Sequence, residues 1–121
     1  MFELGRRWSR RLGAWLLLRA GPEGAYGAGL RYAGRGQLVA AAEAFEDAQR
    51  LWERDLGPRS PQVAAALSRR AWCYVRLGRV PDGVRLYELA LDLERDLHGE
   101  GSERVRELDA EASEARARLV E

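Results

Sequence analysis

Apolar residues recur along this chain at intervals of three and four positions, the spacing that places them on one face of an α-helix. In residues 61–77 they are Val63, Ala64, Leu67, Ala71, Tyr74 and Leu77, and in residues 81–98 they are Leu86, Leu89, Ala90, Leu93 and Leu97. Ser60 and Pro61 are typical of a helix start, while Gly78 and Gly99 are typical of helix ends. The pattern therefore predicts two helices joined by a short turn.

The same pattern occurs twice. A shift of 42 residues aligns seven pairs: Gly36 with Gly78, Phe45 with Tyr87, Glu46 with Glu88, Ala48 with Ala90, Leu51 with Leu93, Ser60 with Ser102 and Val63 with Val105. The tetrapeptide ERDL at 53–56 returns at 94–97, one residue out of that register. A period of this length indicates a helical repeat array. We expect each ERDL to end the second helix of its unit, with Leu56 and Leu97 packed inward and the charged side chains facing water.

The repeated residues resemble a known family. Leu67, Ala71, Tyr74, Gly83, Tyr87 and Ala90 fall at the spacings of a tetratricopeptide repeat, as do Ala28, Gly29, Tyr32, Ala41, Phe45 and Ala48 one unit earlier. The 42-residue period, with ERDLGPRSPQVA between helices, is similar to the kinesin-light-chain type of that repeat. The resemblance covers roughly residues 22–108, and it implies an all-α fold of antiparallel helix hairpins stacked as an α-solenoid.

We predict a single domain over residues 1–121, with about six helices near 3–20, 22–33, 37–56, 61–77, 81–98 and 102–120. Residues 1–21 form a degenerate N-terminal helix, 22–101 two repeats and 102–121 a C-terminal capping helix, which carries one narrow apolar stripe. Arg70 stands where the family has a buried leucine. Because a buried unpaired charge is costly, we expect its guanidinium to meet a carboxylate or carbonyl oxygen or to reach the helix edge.

Composition places the chain among soluble globular proteins. The net charge is only +1, and all 20 basic residues are arginine, which we interpret as the usage of a GC-rich bacterial genome. The apolar run at residues 12–18 is too short for a membrane span of about 20 residues. We expect a cytoplasmic protein, and a secretory signal peptide at residues 6–18 is the alternative.

Residue types that carry chemistry are scattered. Cys73 is the single cysteine and lies within an apolar helical pattern, while His98 is the single histidine and lies at a helix end. The glycine-rich residues 21–36 lack a phosphate-loop signature. We therefore predict that the protein is not an enzyme and has no catalytic residues, no metal and no cofactor.

In the family that this chain resembles, the first helix of each hairpin lines a concave groove that holds a partner segment. The resemblance implies ten partner-binding residues: Tyr26, Leu30, Ser68, Arg69, Trp72, Val75, Arg76, Asp109, Ser113 and Arg116. Aromatic residues beside arginine are typical of binding surfaces, and a guanidinium can hold a carboxylate through two hydrogen bonds. We predict a non-catalytic interaction module, an adaptor, scaffold or assembly subunit, whose partner is another protein or peptide.

The first predicted helix is a second candidate interface. Leu4, Trp8, Leu12 and Trp15 fall within about 80° on a helical wheel, which predicts a packing stripe. The residues that remain available for contact are Phe2, Arg6, Arg7, Arg10 and Leu17, and they would join a partner or a second copy of the chain in a two-fold dimer. The alternative function is a regulatory protein that contacts nucleic acid or an anionic membrane through this helix, and we rank both contacts below a protein contact.

Overall fold

Five helices follow one another in residues 20–120, which are the residues that the computed structural model describes. They are α1 at residues 20–34, α2 at Leu38–Leu56, α3 at Pro61–Arg76, α4 at Val80–His98 and α5 at Glu103–Ala117, followed by a 3₁₀ turn at Arg118–Val120. Each helix from α2 to α5 packs against the next one along the chain. The predicted all-α hairpin fold is confirmed, and the predicted helix at about 3–20 lies outside the described residues.

The helix ends repeat with the 42-residue period. The Oγ atoms of Ser60 and Ser102 accept hydrogen bonds from the backbone N–H groups of Val63 and Val105 at 3.1 and 3.2 Å. Gly57 and Gly99 follow α2 and α4 with φ angles of 85° and 83°. Glycine adopts such angles without the strain that a side chain would cause, and its N–H then closes the last turn. Capping by neighbouring residues therefore marks the end of the α1–α2 hairpin and both ends of the α3–α4 hairpin.

Aromatic packing joins α1 to the rest of the core. The ring centroid of Tyr26 lies 5.3 Å from that of Phe45 and 5.4 Å from that of Trp52, both of α2. Phe45 is 1% exposed and Trp52 is 7% exposed, so the Tyr26 ring covers a buried cluster.

None of the described helices contains a stretch long and apolar enough to cross a membrane.

Both ERDL tetrapeptides stand in the last turns of α2 and α4 as expected, but the expected orientation of three of their side chains was wrong. Leu56 is 52% exposed and Leu97 is 36% exposed, whereas Glu94 is only 2% exposed. Glu94 follows Ala90 by four positions and Tyr87 by seven, so the helical period itself places it on the buried face of α4. Both leucines stand in the last turns of their helices: Leu56 directly precedes Gly57, and His98 separates Leu97 from Gly99.

Arg70 has the partner that its position requires. Its Nη1 donates a hydrogen bond to Gln49 Oε1 at 2.7 Å, and Gln49 Nε2 donates to Glu53 Oε1 at 2.7 Å. The guanidinium also lies 5.8 Å from the ring centroid of Tyr74. The expectation that Arg70 meets a carbonyl oxygen is confirmed, and the amide of Gln49 connects its positive charge to the carboxylate of Glu53.

Each hairpin has a crossing at which one helix carries no side chain. A Cβ atom added to Gly83 of α4 would lie 2.5 Å from Val75 Cγ2 and 2.9 Å from the carbonyl oxygen of Ala71 in α3. A Cβ atom on Gly29 of α1 would lie 2.5 Å from the Phe45 ring of α2. These distances are below any normal contact, so α4 lies against the backbone of α3 at Gly83, and the Phe45 ring of α2 fills the space beside Gly29.

We predict that Gly83→Ala lowers the free energy of unfolding by about 1 to 3 kcal/mol, because the added methyl group must push α4 away from α3. Gly34→Ala is the matched control, since nothing lies within 4 Å of a Cβ atom at that helical position. The control should be neutral or stabilising by up to about 1 kcal/mol. Urea unfolding followed by circular dichroism measures both, and equal shifts for the two variants would contradict the close crossing.

Candidate functional site

A pocket of about 240 Å³ opens between α3 and α5, and we refer to it as the groove. Its lining residues are Ser68, Arg69, Trp72, Val75 and Arg76 of α3, Tyr87 of α4, Glu111, Glu114, Ala115 and Arg104 of α5, and Arg118 of the 3₁₀ turn. Four arginines stand against two glutamates, so the lining carries an excess of positive charge.

The α3 wall presents one stripe of large side chains. Arg69, Trp72 and Arg76 follow one another by three and four positions, which places them on the same helical face. The guanidinium carbon of Arg76 lies 3.9 Å from the ring centroid of Trp72, and Arg69 Nε donates a hydrogen bond to the hydroxyl of Tyr26 at 3.3 Å. Among the described residues, neither arginine has a carboxylate oxygen within 4.0 Å. Within residues 20–120, no ion pair therefore neutralises either guanidinium.

The α5 wall is held in register by pairs of side chains that span to α4. On the groove side Arg104 Nε lies 3.7 Å from Glu94 Oε1. Seven residues earlier in α4 and seven residues later in α5, the Tyr87 hydroxyl lies beside Glu111. On the opposite side the pairs are Arg95 with Asp109 at 3.9 Å and Glu88 with Arg116 at 3.7 Å. The same seven-residue step on both helices, in opposite directions, shows that α5 runs antiparallel to α4.

Tyr87 lines the groove as a neutral hydroxyl group. It is 3% exposed, and burial raises its pKa well above the ordinary value. The negative charge of Glu111 raises the pKa further, because it disfavours a second anion beside it. Tyr87 therefore keeps its proton across the physiological range.

A family model described as tetratricopeptide repeat matches residues 24–96, which is more than half of the chain. The chain belongs to the tetratricopeptide repeat family. Repeats of this family generally mediate protein–protein interactions and are generally non-catalytic. No curated protein matches the chain at a significant level.

The tetratricopeptide fold brings together half of the predicted partner-binding residues. Ser68, Arg69, Trp72, Val75 and Arg76 all line the groove. Tyr26 extends their row, because its hydroxyl accepts the hydrogen bond from Arg69 although its ring packs on the core. Leu30 is 43% exposed on α1 and is not part of the groove lining. A contact of any of these residues with a partner stays a prediction.

The three residues predicted on α5 lie elsewhere. Asp109 and Arg116 contact Arg95 and Glu88 on the far side of α5, and Ser113 does not line the groove. The prediction placed these residues 41 positions after Ser68, Trp72 and Val75, whereas the repeat period is 42. One residue turns a helix by about 100°, which is enough to leave a groove.

The groove residues that the prediction missed follow the strict period. Glu111, Glu114 and Arg118 stand 42 positions after Arg69, Trp72 and Arg76. That signal was present in the sequence, whereas nothing in the sequence pointed to Arg104 and Tyr87. The predicted N-terminal interface, Phe2, Arg6, Arg7, Arg10 and Leu17, lies outside the described residues.

Cys73 is poorly suited to act as a nucleophile. Its side chain is 0% exposed, and burial raises the pKa of the thiol from 9.0 to about 11, although Arg76 and Arg69 oppose the shift. The reactive thiolate is therefore scarce at neutral pH. Within residues 20–120, no group of three or more His, Cys, Asp or Glu side chains could hold a metal ion.

We predict that stability falls as pH rises from about 9 to about 11. In this range an unfolded thiol has lost its proton while the folded Cys73 still holds one, so alkali favours the unfolded state. Urea midpoints should be steady below pH 9 and should then decrease. Cys73→Ala is the control, and its decrease should begin only near the ordinary tyrosine pKa of about 10, where Tyr87 acts in the same direction. Identical profiles for the two proteins would rule out the buried thiol as the cause.

Proposed function

We propose that this tetratricopeptide chain is a non-catalytic adaptor, scaffold or assembly subunit that holds an acidic segment of a partner protein in the groove. The observation that carries the proposal is Arg76, whose guanidinium is stacked on Trp72 at 3.9 Å and has no carboxylate within 4.0 Å among the described residues. Stacking on an aromatic ring orients a guanidinium and leaves its N–H groups free for a ligand.

The spacing of Arg69 and Arg76 supports an extended partner segment. Seven residues of α-helix advance by about 10 Å. In a polyproline-II conformation, residues i and i+3 lie on one face about 9 Å apart. Two acidic side chains three positions apart in such a segment would therefore each reach one arginine, and each guanidinium could form paired hydrogen bonds to its carboxylate.

Trp72 supplies apolar contact between the two charges. It is only partly buried, and it packs at the edge of the cluster formed by Ala41, Ala42, Phe45 and Cys73. Tryptophan and arginine dominate the binding energy of many interfaces because they combine large contact area with directed polar groups. An apolar side chain between the two acidic residues of the partner would contact the part of Trp72 that remains exposed.

The acids in the groove support a protein partner over a nucleic acid. Glu111 and Glu114 stand on the wall opposite Arg69 and Arg76. A phosphate backbone would bring negative charge against them along its whole length, whereas a peptide can present acidic groups to α3 and neutral or basic groups to α5. The mixed charges of the two walls therefore fit a segment with two different faces.

Selection of a displayed random-peptide library against the full chain tests the proposal. The enriched sequences should contain two acidic residues about three positions apart. Trp72→Ala and Arg76→Gln should each weaken the binding of the selected peptides by about tenfold or more. Arg85→Gln is the matched charge control, since Arg85 lies on the exposed surface of α4 with a 74% exposed side chain. Neutral or basic selected sequences, or equal binding by the groove variants and the control, would contradict the acidic partner.

Stability measurements separate a binding role of Trp72 from a core role. Trp52 is 7% exposed, so Trp52→Ala should lower the free energy of unfolding by about 3 to 5 kcal/mol. Trp72→Ala should lower the free energy of unfolding clearly less than this in the absence of a partner.

Tight binding of DNA or RNA that weakens by orders of magnitude between about 50 and 200 mM salt would instead favour nucleic acid as the partner.

A further inference from the structure

A buried carboxylate stands behind the groove. Glu94 of α4 is 2% exposed, and its Oε1 lies 3.7 Å from Nε of the groove residue Arg104. Its Oε2 lies 3.4 Å from His98 Nε2 and makes no hydrogen bond within the described part of the chain. An acid with so little solvent and so few donors costs stability, so its presence calls for a role.

Arg104 connects this carboxylate to the groove. Its Nη2 lies 3.5 Å from the hydroxyl of Ser68 on the opposite wall, and its side chain is 40% exposed. The guanidinium thus extends from the buried acid across the end of the groove. Any anion that binds at that end meets Arg104 and, directly behind it, the negative charge of Glu94.

We propose that Glu94 is a specificity-determining residue, which lowers the preference of the groove for acidic segments by countering Arg104 from within the core. This inference rests on the proposed function. Because Glu94 is enclosed, water and salt screen its field less than the field of an exposed carboxylate. The groove would then bind acidic segments less tightly, because the negative charge of Glu94 offsets part of the positive charge of Arg104.

Glu107 provides an internal comparison. Its Oε2 lies 3.8 Å from Arg104 Nη1, almost the same distance as that of Glu94 from Nε, but its side chain is 57% exposed. If proximity to Arg104 were sufficient, both acids would act equally on the groove. Since solvent screens exposed pairs strongly, we expect most of the effect from Glu94.

Glu94→Gln tests the inference because glutamine keeps the shape of the side chain and an oxygen that can accept from Arg104, while the charge is lost. The probes are a fluorescein-labelled hexaglutamate, acetylated and amidated at its ends, and the same peptide with glutamine in place of glutamate. The ratio of their dissociation constants for the full chain at pH 8 measures charge preference. We expect Glu94→Gln to raise the preference for the acidic peptide by roughly threefold to tenfold, and Glu107→Gln to change it by less than about twofold.

The direction of the change separates a charge effect from a structural one. If Glu94 only docked α5 onto α4, its loss would loosen the groove wall and weaken both peptides. If Glu94→Gln left the preference for the acidic peptide unchanged or reduced it, the inference would be overturned. The proposed function would still hold as long as the unaltered protein preferred the acidic peptide. If the unaltered protein showed no preference for the acidic peptide and Arg76→Gln changed nothing, the proposed function itself would fail.

Repeating the Glu94→Gln substitution in an Arg104→Gln variant controls for misfolding. Removal of Glu94 leaves Arg104 without its buried counter-charge, and circular dichroism reports whether the variant still folds. The same substitution in an Arg104→Gln protein has no such cost. We expect it to leave the acidic preference nearly unchanged there, because the guanidinium that Glu94 counters is absent, and a rise as large as in the unaltered background would refute the inference.

Discussion

Two helices approach most closely where one of them has no side chain, and each hairpin of this chain has a glycine at such a contact. Gly29 meets the Phe45 ring, and Gly83 meets the backbone of Ala71. Positions 29 and 71 are equivalent in the two repeats, as are 41 and 83, so each hairpin combines one glycine with one alanine in opposite order. The crossing needs a small residue on each helix, and either helix can carry the smaller one.

The close crossing explains how α3 can serve both the core and the groove. Val75 of α3 would lie 2.5 Å from a Cβ atom of Gly83, and the same valine lines the groove. Its neighbours Arg69 and Arg76 line the groove as well, and Trp72 between them contacts both the groove and the edge of the core. A thicker hairpin would displace α4 and with it Tyr87 and α5, so the width of the groove depends on a glycine that lies outside it.

Much of this arrangement was predictable, because local chemistry decides it. Helix starts at Ser60 and Ser102 and helix ends at Gly57 and Gly99 follow from capping, which involves a few neighbouring residues. The site was harder to predict because membership of a groove depends on rotation about the helix axis. An error of one residue between 41 and 42 placed Asp109 and Arg116 on the wrong side of α5, although the helix itself was correct.

Glu94 shows a different limit of sequence reasoning. Assigning charged residues to the surface holds on average, and it holds for the exposed Arg54, Asp55 and Asp96, but it fails for Glu94. In the second ERDL tetrapeptide the helical period placed a glutamate at a core position, and Arg104 of α5 supplied its counter-charge from another helix. Such a pair cannot be predicted from the sequence of either helix, because it depends on how the two helices pack. Where the residue type and the helical period disagree, the disagreement itself identifies a position at which the fold accepts a cost, and here that position lies directly behind the groove.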